Sequence, residues 1–277
     1  MSPFVVAMVL LAAVLHATWN AILRGGEDRL WSMTGICVAG TVIAAPLAVG
    51  LPQPEPASWP YLGLSVVLQI SYCLFLVRAY RDGQLAHVYP IARGSAPLLV
   101  TLGAAVFAHE TLSGSALVCV ALVSGGVLIL VLGRDRPDTR TVIAAIATGC
   151  FIAAYMVTDG IGGRLSHHAV TYAAWDAVGQ GPVMFLAYWV FRRRLPPLPR
   201  GLAGGHVLLA ALIGVVGYSI IVWAMSINPM GKVSALRETS ILFAALIGAV
   251  FLREPLTLGR IVGGATIAAG AIGLSSL

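Results

Sequence analysis

Charged residues are scarce in this sequence, and their scarcity excludes most classes of soluble protein. They make up 10% of the 277 residues, while 58% are hydrophobic. A soluble domain carries about 25% charged and about 45–50% apolar residues. So few charges cannot cover a surface in water, and we expect lipid to surround most of the molecule. The net charge of +6 does not indicate a nucleic-acid partner, because the basic residues lie between apolar runs rather than in one patch.

The sequence also lacks the motifs of metal, disulfide and nucleotide chemistry. Its four cysteines lie in separate apolar stretches without CxxC or Cys/His spacing, which argues against a zinc site or a disulfide framework. GxxxxGK(S/T), HExxH and GxSxG motifs are absent. We therefore predict no metal, no cofactor and no enzymatic activity, although a dyad of His16 and Asp176 stays open. Because no Lys or Arg precedes the first apolar run, we expect a retained helix rather than a cleaved signal.

Ten apolar runs are long enough to span a bilayer, which requires about 20 residues of helix. Short polar or proline-rich separators divide the runs, and none of these separators could hold a soluble domain. The sequence therefore predicts an all-α membrane protein with ten transmembrane helices. The runs cover approximately residues 3–23, 31–51, 58–80, 85–107, 113–132, 140–160, 168–191, 205–226, 231–252 and 256–275.

The two halves of the chain resemble each other. Residues 106–112 resemble residues 250–256 at an offset of 144 residues, and the same offset aligns Arg93 with Arg237. Because each half holds five helices, an odd number, the second half must enter the membrane from the opposite side. The sequence thus predicts two inverted five-helix repeats, an architecture typical of transporters. The repeats are predicted to cover residues 1–135 and 136–277.

The distribution of basic residues predicts the orientation. The separators after odd-numbered runs hold thirteen Lys and Arg residues, whereas those after even-numbered runs hold two, Arg164 and Lys232. Because positive residues stay on the cytoplasmic side, we expect both termini in the periplasm of a bacterial cell with the protein in its inner membrane. A reporter that is active only in the cytoplasm, fused to Leu277, distinguishes the two orientations.

Two basic residues, Arg93 and Arg237, lie inside apolar runs. A charge in hydrocarbon costs on the order of 3 kcal/mol, so each side chain should face a cavity or a partner. Either arginine could attract the carboxylate of a substrate. Alternatively, Arg237 could pair with Glu238 or Asp176, and Arg93 could bond backbone carbonyls or extend to the interface.

Prolines and a glycine surround Arg93 in the fourth run. Pro90, Gly94 and Pro97 predict an irregular helix there, because proline removes a backbone donor. In lipid, the freed carbonyls are tolerated where protein or water covers them, so this run is the expected cavity wall. A plain proline kink for helix packing is the alternative.

Further polar and aromatic side chains lie within the runs. His16 and Asn20 are four residues apart, share a face of the first helix and should point inward. His16 could carry protons or only form a hydrogen bond within the bundle. Asp176 could couple transport to protons or partner an arginine or a tyrosine. Aromatic rings suit a pocket for an amphipathic ligand, or plain helix packing. The residues predicted to bind substrate are His16, Trp19, Asn20, Tyr80, Tyr89, Arg93, Tyr155, Trp175, Asp176, Trp223, Arg237 and Glu238.

Small residues mark the fifth and tenth runs. Gly125 and Gly126 in the fifth run, and Gly263 and Gly270 in the tenth, allow helices to approach closely. We interpret both runs as a scaffold that joins the halves rather than as a substrate path. A monomer is expected because the duplication already supplies an internal partner, and a homodimer face is the alternative.

Several of these features together resemble the EamA-type members of the drug/metabolite transporter superfamily. They are the inverted halves, Trp19-Asn20 in the first run, the Tyr-Pro-Ile-Ala-Arg stretch at 89–93, and the Glu-Thr-Leu and Glu-Pro-Leu stretches after the fourth and ninth runs. The resemblance covers nearly the whole chain. It implies a basket-like bundle whose cavity is lined by helices 1, 3, 4, 6, 8 and 9, with helices 5 and 10 packed together at the back.

The resemblance and the residues favour a transporter that exports small metabolites by alternating access around a central cavity. Amino acids, aromatic or hydrophobic ones in particular, are the expected substrates, and the fourth and ninth helices would supply the gates. A multidrug or cationic-compound exporter is the main rival hypothesis and would need a cavity carboxylate, for which Glu238 and Asp176 are the candidates. Transport of sugars, nucleotide precursors or polyamines is also compatible with the sequence, as are a channel and a membrane enzyme.

Overall fold

The computed structural model describes residues 1–24, 28–81, 85–130, 139–197, 201–251 and 257–277. Within these ranges the regular elements are helices, so the predicted all-α class is confirmed. A short 3-10 helix, Pro56–Ser58, precedes the third long helix. The α-helices are α1 (Pro3–Arg24), α2 (Arg29–Gly50), α3 (Trp59–Arg81), α4 (Leu85–Phe107), α5 (Gly114–Ile129), α6 (Thr139–Leu165), α7 (Ala169–Arg192), α8 (Gly201–Ile227), α9 (Met230–Arg237), α10 (Ser240–Phe251) and α11 (Leu258–Ser276).

Each predicted apolar run contains a helix, and the ninth run contains two. Among the described helices, seven are long and apolar enough to cross a membrane, namely α1, α2, α3, α4, α6, α8 and α11. The helix α5 is also apolar but has 16 residues. The prediction of a single ninth helix over residues 231–252 is wrong, because this run is divided into α9 and α10.

The distribution of side chains is the reverse of that in a soluble protein. Val42, Ile143 and Ile272 lie on helices and are 69%, 62% and 68% exposed, respectively. Arg93 and Asp176, by contrast, are buried. Exposed apolar helix faces are stable in hydrocarbon, and charged groups in a membrane lie inside the bundle. The helices therefore form a bundle with a lipid-facing exterior.

The ninth run breaks where consecutive polar residues interrupt it, at Arg-Glu-Thr-Ser over residues 237–240. The backbone N–H groups of Glu238 and Thr239 donate to the carbonyls of Ala235 and Leu236, three residues earlier, at 3.1 and 3.2 Å. Bonds with this spacing tighten the chain into a 3-10 turn. The turn ends α9 at Arg237, and α10 begins at Ser240.

The fourth run, in contrast, forms one continuous helix. Pro90 and Pro97 both lie inside α4. The fourth run is therefore not interrupted in the structure, and the irregularity predicted around Arg93 stays a prediction. The interruption occurs instead at the place in the second half that the 144-residue offset aligns with Arg93.

Helices of one half of the chain pack against helices of the other half, and corresponding helices exchange their partners. The helix α1 packs against α8 and α6 packs against α3, while α2 faces α7 and α5 faces α11. Similarly, α4 packs on α6, and both α9 and α10 pack on α1. This exchange is expected when two five-helix halves are related by an approximate twofold axis. The duplication and its inversion themselves stay predictions.

Small residues bring the backbones of α5 and α11 into contact. A Cβ atom added at Gly126 would lie 2.8 Å from the Gly263 carbonyl oxygen and 2.8 Å from the Ile267 nitrogen. One added at Gly270 would lie 2.8 Å from the Cys119 carbonyl oxygen. Backbone atoms cannot move aside by a rotamer change, so these positions require glycine. The predicted close packing of these two helices is confirmed.

Replacing Gly126 by alanine is therefore expected to destabilise the protein, because the added methyl group pushes α5 away from α11. We expect a cost of about 1–3 kcal/mol, measured as a lower melting temperature in detergent. Gly125→Ala is the matched control on the same helix, because its added Cβ atom meets nothing within 4 Å. Equal melting temperatures for the two variants would contradict the close packing.

Candidate functional site

A cavity lies between helices from both halves of the chain. Its volume is about 140 Å³, roughly ten times what one buried water requires, so it has room for a small metabolite. The helices α1, α2, α3, α6, α7, α8 and α9 line it. None of the described side chains of α4 does, although its prolines and the family resemblance predicted it as a wall. The polar and aromatic lining residues are His16, Trp19, Gln69, Tyr72, Tyr155, Gln180, Tyr218 and Arg237.

Arg237 places a positive charge in the cavity wall. It is the last residue of α9 and is 5% exposed. Its Nη1 lies 3.5 Å from the sulfur of Met156, its Nη2 lies 3.4 Å from His16 Nδ1, and its guanidinium carbon lies 5.8 Å from the centre of the Tyr218 ring. No carboxylate among the described residues is within ion-pair distance of it. The predicted alternative in which Arg237 pairs with a neighbouring acid is therefore wrong, and the buried cation favours a bound anion.

His16 positions both Trp19 and Arg237 at the cavity wall. The Trp19 Nε1–H group, which can only donate, bonds to His16 Nδ1 at 3.1 Å. A nitrogen that accepts a hydrogen bond carries no proton, so the imidazole is neutral with its hydrogen on Nε2. This geometry fits the hydrogen-bonding role predicted for His16 and not that of a proton carrier.

Three tyrosines form a row along the cavity. The ring centres of Tyr72 and Tyr155 are 5.9 Å apart, and those of Tyr155 and Tyr218 are 6.2 Å apart. The row ends at Arg237, whose guanidinium faces the ring of Tyr218. These separations are typical of interacting aromatic pairs, and each ring offers a face or edge to a further ring. The cavity thus combines an aromatic wall with a cation at its end.

Arg93 lies outside the cavity in a buried ion pair. Its Nε is 3.0 Å from Glu238 Oε2, and each of the two side chains is 1% exposed. Its Nη2 donates a hydrogen bond to Ser240 Oγ at 3.2 Å. The pair ties α4 to the turn between α9 and α10. Neither Arg93 nor Glu238 lines the cavity, so their predicted contacts with substrate are replaced by a structural role: each charge neutralises the other.

Two carboxyl groups are buried behind the cavity wall and share one amide. They belong to Asp159 on α6 and Asp176 on α7, and are called the carboxyl pair below. Gln69 Nε2 lies 3.4 Å from Asp159 Oδ2 and 2.8 Å from Asp176 Oδ2. Gln180 Nε2 donates to Asp176 Oδ2 at 2.7 Å. Because Gln69 and Gln180 line the cavity, one layer of amides separates the carboxyl pair from it.

Tyrosine hydroxyls also bond to Asp159. The Tyr172 hydroxyl donates to Asp159 Oδ1 at 3.1 Å, and the Tyr218 hydroxyl donates to Asp159 Oδ2. Tyr218 therefore contacts Arg237 with its ring and Asp159 with its hydroxyl. A single side chain connects the cation of the cavity to the carboxyl pair behind it.

Comparison with known proteins identifies the family of this chain. Residues 139–276 match the family model of the EamA-like transporter family. The chain belongs to this family. It is therefore a multi-pass membrane transporter of the drug/metabolite transporter superfamily. One solved crystal structure resembles all of the chain, with a TM-score of 0.79 and 18% identity over 98% of that protein, which shows a shared fold alone. No curated protein matches the chain.

The cavity of this EamA-like transporter contains only some of the predicted site residues. The predicted residues that line it are His16, Trp19, Tyr155 and Arg237. Asp176 is fully buried behind the amides of Gln69 and Gln180 rather than exposed to the cavity. The side chains of Tyr80 and Tyr89 lie outside the described part of the structure.

Three further predicted residues have contacts away from the cavity. Asn20 donates to a backbone carbonyl one turn earlier in α1, at 2.8 Å. Trp175 donates to Gln53 Oε1 at 2.9 Å, beyond the end of α2. Trp223 packs edge-on against Phe4, with ring centres 6.0 Å apart. Substrate contacts for Asn20, Trp175 and Trp223 are therefore not supported by the geometry.

Gln69, Asp159 and Tyr218 were not among the residues predicted to form the site. Gln69 is an amide in the middle of the third apolar run, and this position was the signal that could have identified it. Asp159 lies near the end of the sixth apolar run, yet it is fully buried. The missed residues are those that join different helices to one another.

The motif after the fourth run has a structural role in the EamA-like fold. The carboxylate of Glu110 pairs with Arg164 and also accepts a hydrogen bond at 2.9 Å from the backbone nitrogen of Met230, the first residue of α9. Arg164 in turn donates to the carbonyl of Asn228 at 2.9 Å. These contacts fix the start of α9 and thereby the position of Arg237 at its other end. The matching Glu254 lies outside the described residues.

Proposed function

We propose that the protein exports amino acids with aromatic or hydrophobic side chains, and related small carboxylates. The observation that carries this proposal is Arg237, a buried cation that lines the cavity without an ion-pair partner among the described residues. A substrate carboxylate at this position would supply the missing counter-ion. The planar guanidinium is well suited to a carboxylate, with which it can form two parallel hydrogen bonds.

The remaining cavity wall suits the other parts of an aromatic amino acid. Trp19, Tyr72, Tyr155 and Tyr218 offer ring faces and edges for an apolar side chain. The amide oxygens of residues such as Gln180 are acceptors for an ammonium group. Ligand pockets with apolar walls and a few placed polar groups are typical of small-molecule sites.

A multidrug or cationic-compound exporter is less well supported. It would need a carboxylate exposed in the cavity, and the two sequence candidates were Glu238 and Asp176. Glu238 is neutralised by Arg93, and Asp176 is covered by glutamine amides. The charge that reaches the cavity is positive, which disfavours a cationic substrate.

The transport mechanism in this proposal is alternating access. Two inverted five-helix halves, residues 1–135 and 136–277, would rock around the cavity so that it opens to each side in turn. The Lys/Arg distribution supports a bacterial inner-membrane location with both termini periplasmic. The turn between α9 and α10 is a natural hinge, because its hydrogen bonds depart from the α-helical pattern next to Arg237.

The proposal predicts that L-phenylalanine stabilises the purified protein and that L-phenylalaninamide does not. The two compounds have the same ring and ammonium group and differ in the carboxylate that Arg237 would bind. A ligand that binds only the folded state raises its stability, by about 2.7 kcal/mol at a concentration one hundred times Kd. The measurement is the melting temperature in detergent, followed by counterflow of radiolabelled L-phenylalanine in proteoliposomes. Equal stabilisation by both compounds, or absence of counterflow, contradicts the proposal.

A further inference from the structure

We propose that the carboxyl pair, Asp159 and Asp176, holds an exchangeable proton and that this proton is coupled to substrate binding at Arg237. The inference rests on the proposed function for the identity of the substrate, but the proton site itself stands on the geometry of the pair. The chemistry is a simple protonation, in which one carboxylate takes up a proton from water and later returns it.

The hydrogen-bond donors around the carboxyl pair are neutral. Among the described residues they are the amides of Gln69 and Gln180 and the hydroxyls of Ser65, Tyr172 and Tyr218. Neutral donors stabilise a carboxylate but do not cancel its charge. Two negative charges sharing one buried amide would repel each other without an adjacent cation. The arrangement favours one proton on the pair, as in other sites where two buried carboxyl groups lie together.

An unpartnered oxygen marks a place for that proton. Asp176 is fully buried, and its Oδ1 has no hydrogen-bond partner among the described residues, whereas its Oδ2 accepts bonds from both glutamines. A buried, unbonded carboxylate oxygen is costly when it carries charge. Protonation removes that charge while leaving the two amide bonds to Oδ2 intact.

The titratable and charged groups that face the pair come from several helices. Tyr172 and Tyr218 bond to Asp159, and Cys37 on α2 lies within electrostatic range of Asp176. The charged group within electrostatic range of Asp159 is Arg237 on α9. Tyrosine and cysteine are neutral near physiological pH, so Arg237 is the described residue whose charge acts most directly on the pair.

Tyr218 connects the substrate site at Arg237 to the carboxyl pair. Its ring contacts the guanidinium of Arg237, and its hydroxyl bonds to Asp159. The Arg237 charge stabilises an ionised carboxyl pair. A substrate carboxylate on Arg237 cancels that charge and so makes protonation of the pair more favourable. By reciprocity, a proton on the pair favours binding of the substrate carboxylate. During export the proton and the substrate would then leave the cell together, with the outward substrate gradient driving both.

The first test needs no substrate. Infrared titration of the purified protein should show a carbonyl band of protonated carboxylic acid that responds to pH, and this band should be lost or shifted in Asp159→Asn and in Asp176→Asn. The exposed acid Glu55 provides the control, because Glu55→Gln should leave the band unchanged. In the Asp176 variant the amide oxygen can still accept the glutamine bonds, so the fold should persist. An identical band in the double variant would overturn the proton site.

The second test measures coupling in proteoliposomes with L-phenylalanine. Asp176→Asn should lower accumulation driven by a pH gradient by at least about tenfold, while counterflow without a gradient changes by less than about twofold. Absence of counterflow in the wild type would defeat the proposed substrate and leave the infrared result to decide on the proton. Unchanged pH-driven accumulation in the variant, or accumulation driven by sodium instead of protons, would overturn the coupling.

Discussion

Replacing Arg237 by glutamine is expected to weaken the binding of L-phenylalanine by roughly 30- to 1,000-fold. The reason is that the substrate carboxylate loses its cationic partner in a desolvated cavity, which costs about 2–4 kcal/mol. Arg237→Lys keeps the charge but not the planar pair of donors, so its affinity should be intermediate. Calorimetric titration in detergent gives the affinities, and counterflow in proteoliposomes should fall in the same order.

The same substitution at Arg192 serves as the control for Arg237→Gln. Arg192 pairs with Asp28 at 2.9 Å, but the two side chains are 42% and 36% exposed, and the pair lies away from the cavity lining. Arg192→Gln should therefore bind L-phenylalanine as the wild type does. L-phenylalaninamide should bind weakly to the wild type, to Arg237→Gln and to Arg192→Gln. Wild-type affinity for L-phenylalanine in Arg237→Gln would remove Arg237 from the substrate site.

The sequence predicted the membrane class and the helix positions because both depend on local composition. A run of about 20 apolar residues has one stable environment, and its length fixes the helix. The glycines of the fifth and tenth runs also predicted a close contact correctly, since Gly126 and Gly270 meet backbone atoms of the opposite helix. These predictions required no knowledge of which helices pack together elsewhere.

The roles of the two arginines could not be predicted in this way. The 144-residue offset makes Arg93 and Arg237 equivalent, and their surroundings in sequence favoured Arg93 as the substrate ligand. What distinguishes them is the carboxylate of Glu238 in the turn after α9, which lies next to Arg237 in the chain but pairs with Arg93. Adjacent residues on a helix point in different directions, so neighbours in sequence are not neighbours in space.

The carboxyl pair could not be predicted from the sequence for a similar reason. Gln69, Asp159 and Asp176 lie on three different helices. Asp159 follows Gln69 by 90 positions in the chain, and Asp176 follows it by 107 positions. Each is a single polar residue in or near an apolar run and carries no spacing motif. Only the packing of α3, α6 and α7 brings them together. The polar residues inside the runs could be recognised from the sequence, but their partners could not.

Replacing Glu238 by glutamine is expected to destabilise the protein by about 3 kcal/mol or more, because it breaks the buried ion pair with Arg93 by removing one of the two charges. Both side chains are 1% exposed, so water cannot take over the role of Glu238. For a chain of this size the loss corresponds to a fall of about 10 °C in the melting temperature. Scanning fluorimetry in detergent measures it. Arg192→Gln, which breaks an exposed ion pair, should change the melting temperature by far less.

A double variant separates the cost of removing one charge of the buried pair from the loss of a favourable contact. Replacing Arg93 and Glu238 together by methionine removes both charges and keeps most of the buried volume, so it should be less destabilised than Glu238→Gln, as seen when buried ion pairs are replaced by apolar groups. The double variant should also retain binding of L-phenylalanine, because Arg237 keeps its place in the cavity wall. A double variant that folds but no longer binds would mean that the Arg93–Glu238 pair positions α9 for transport as well as holding the fold together.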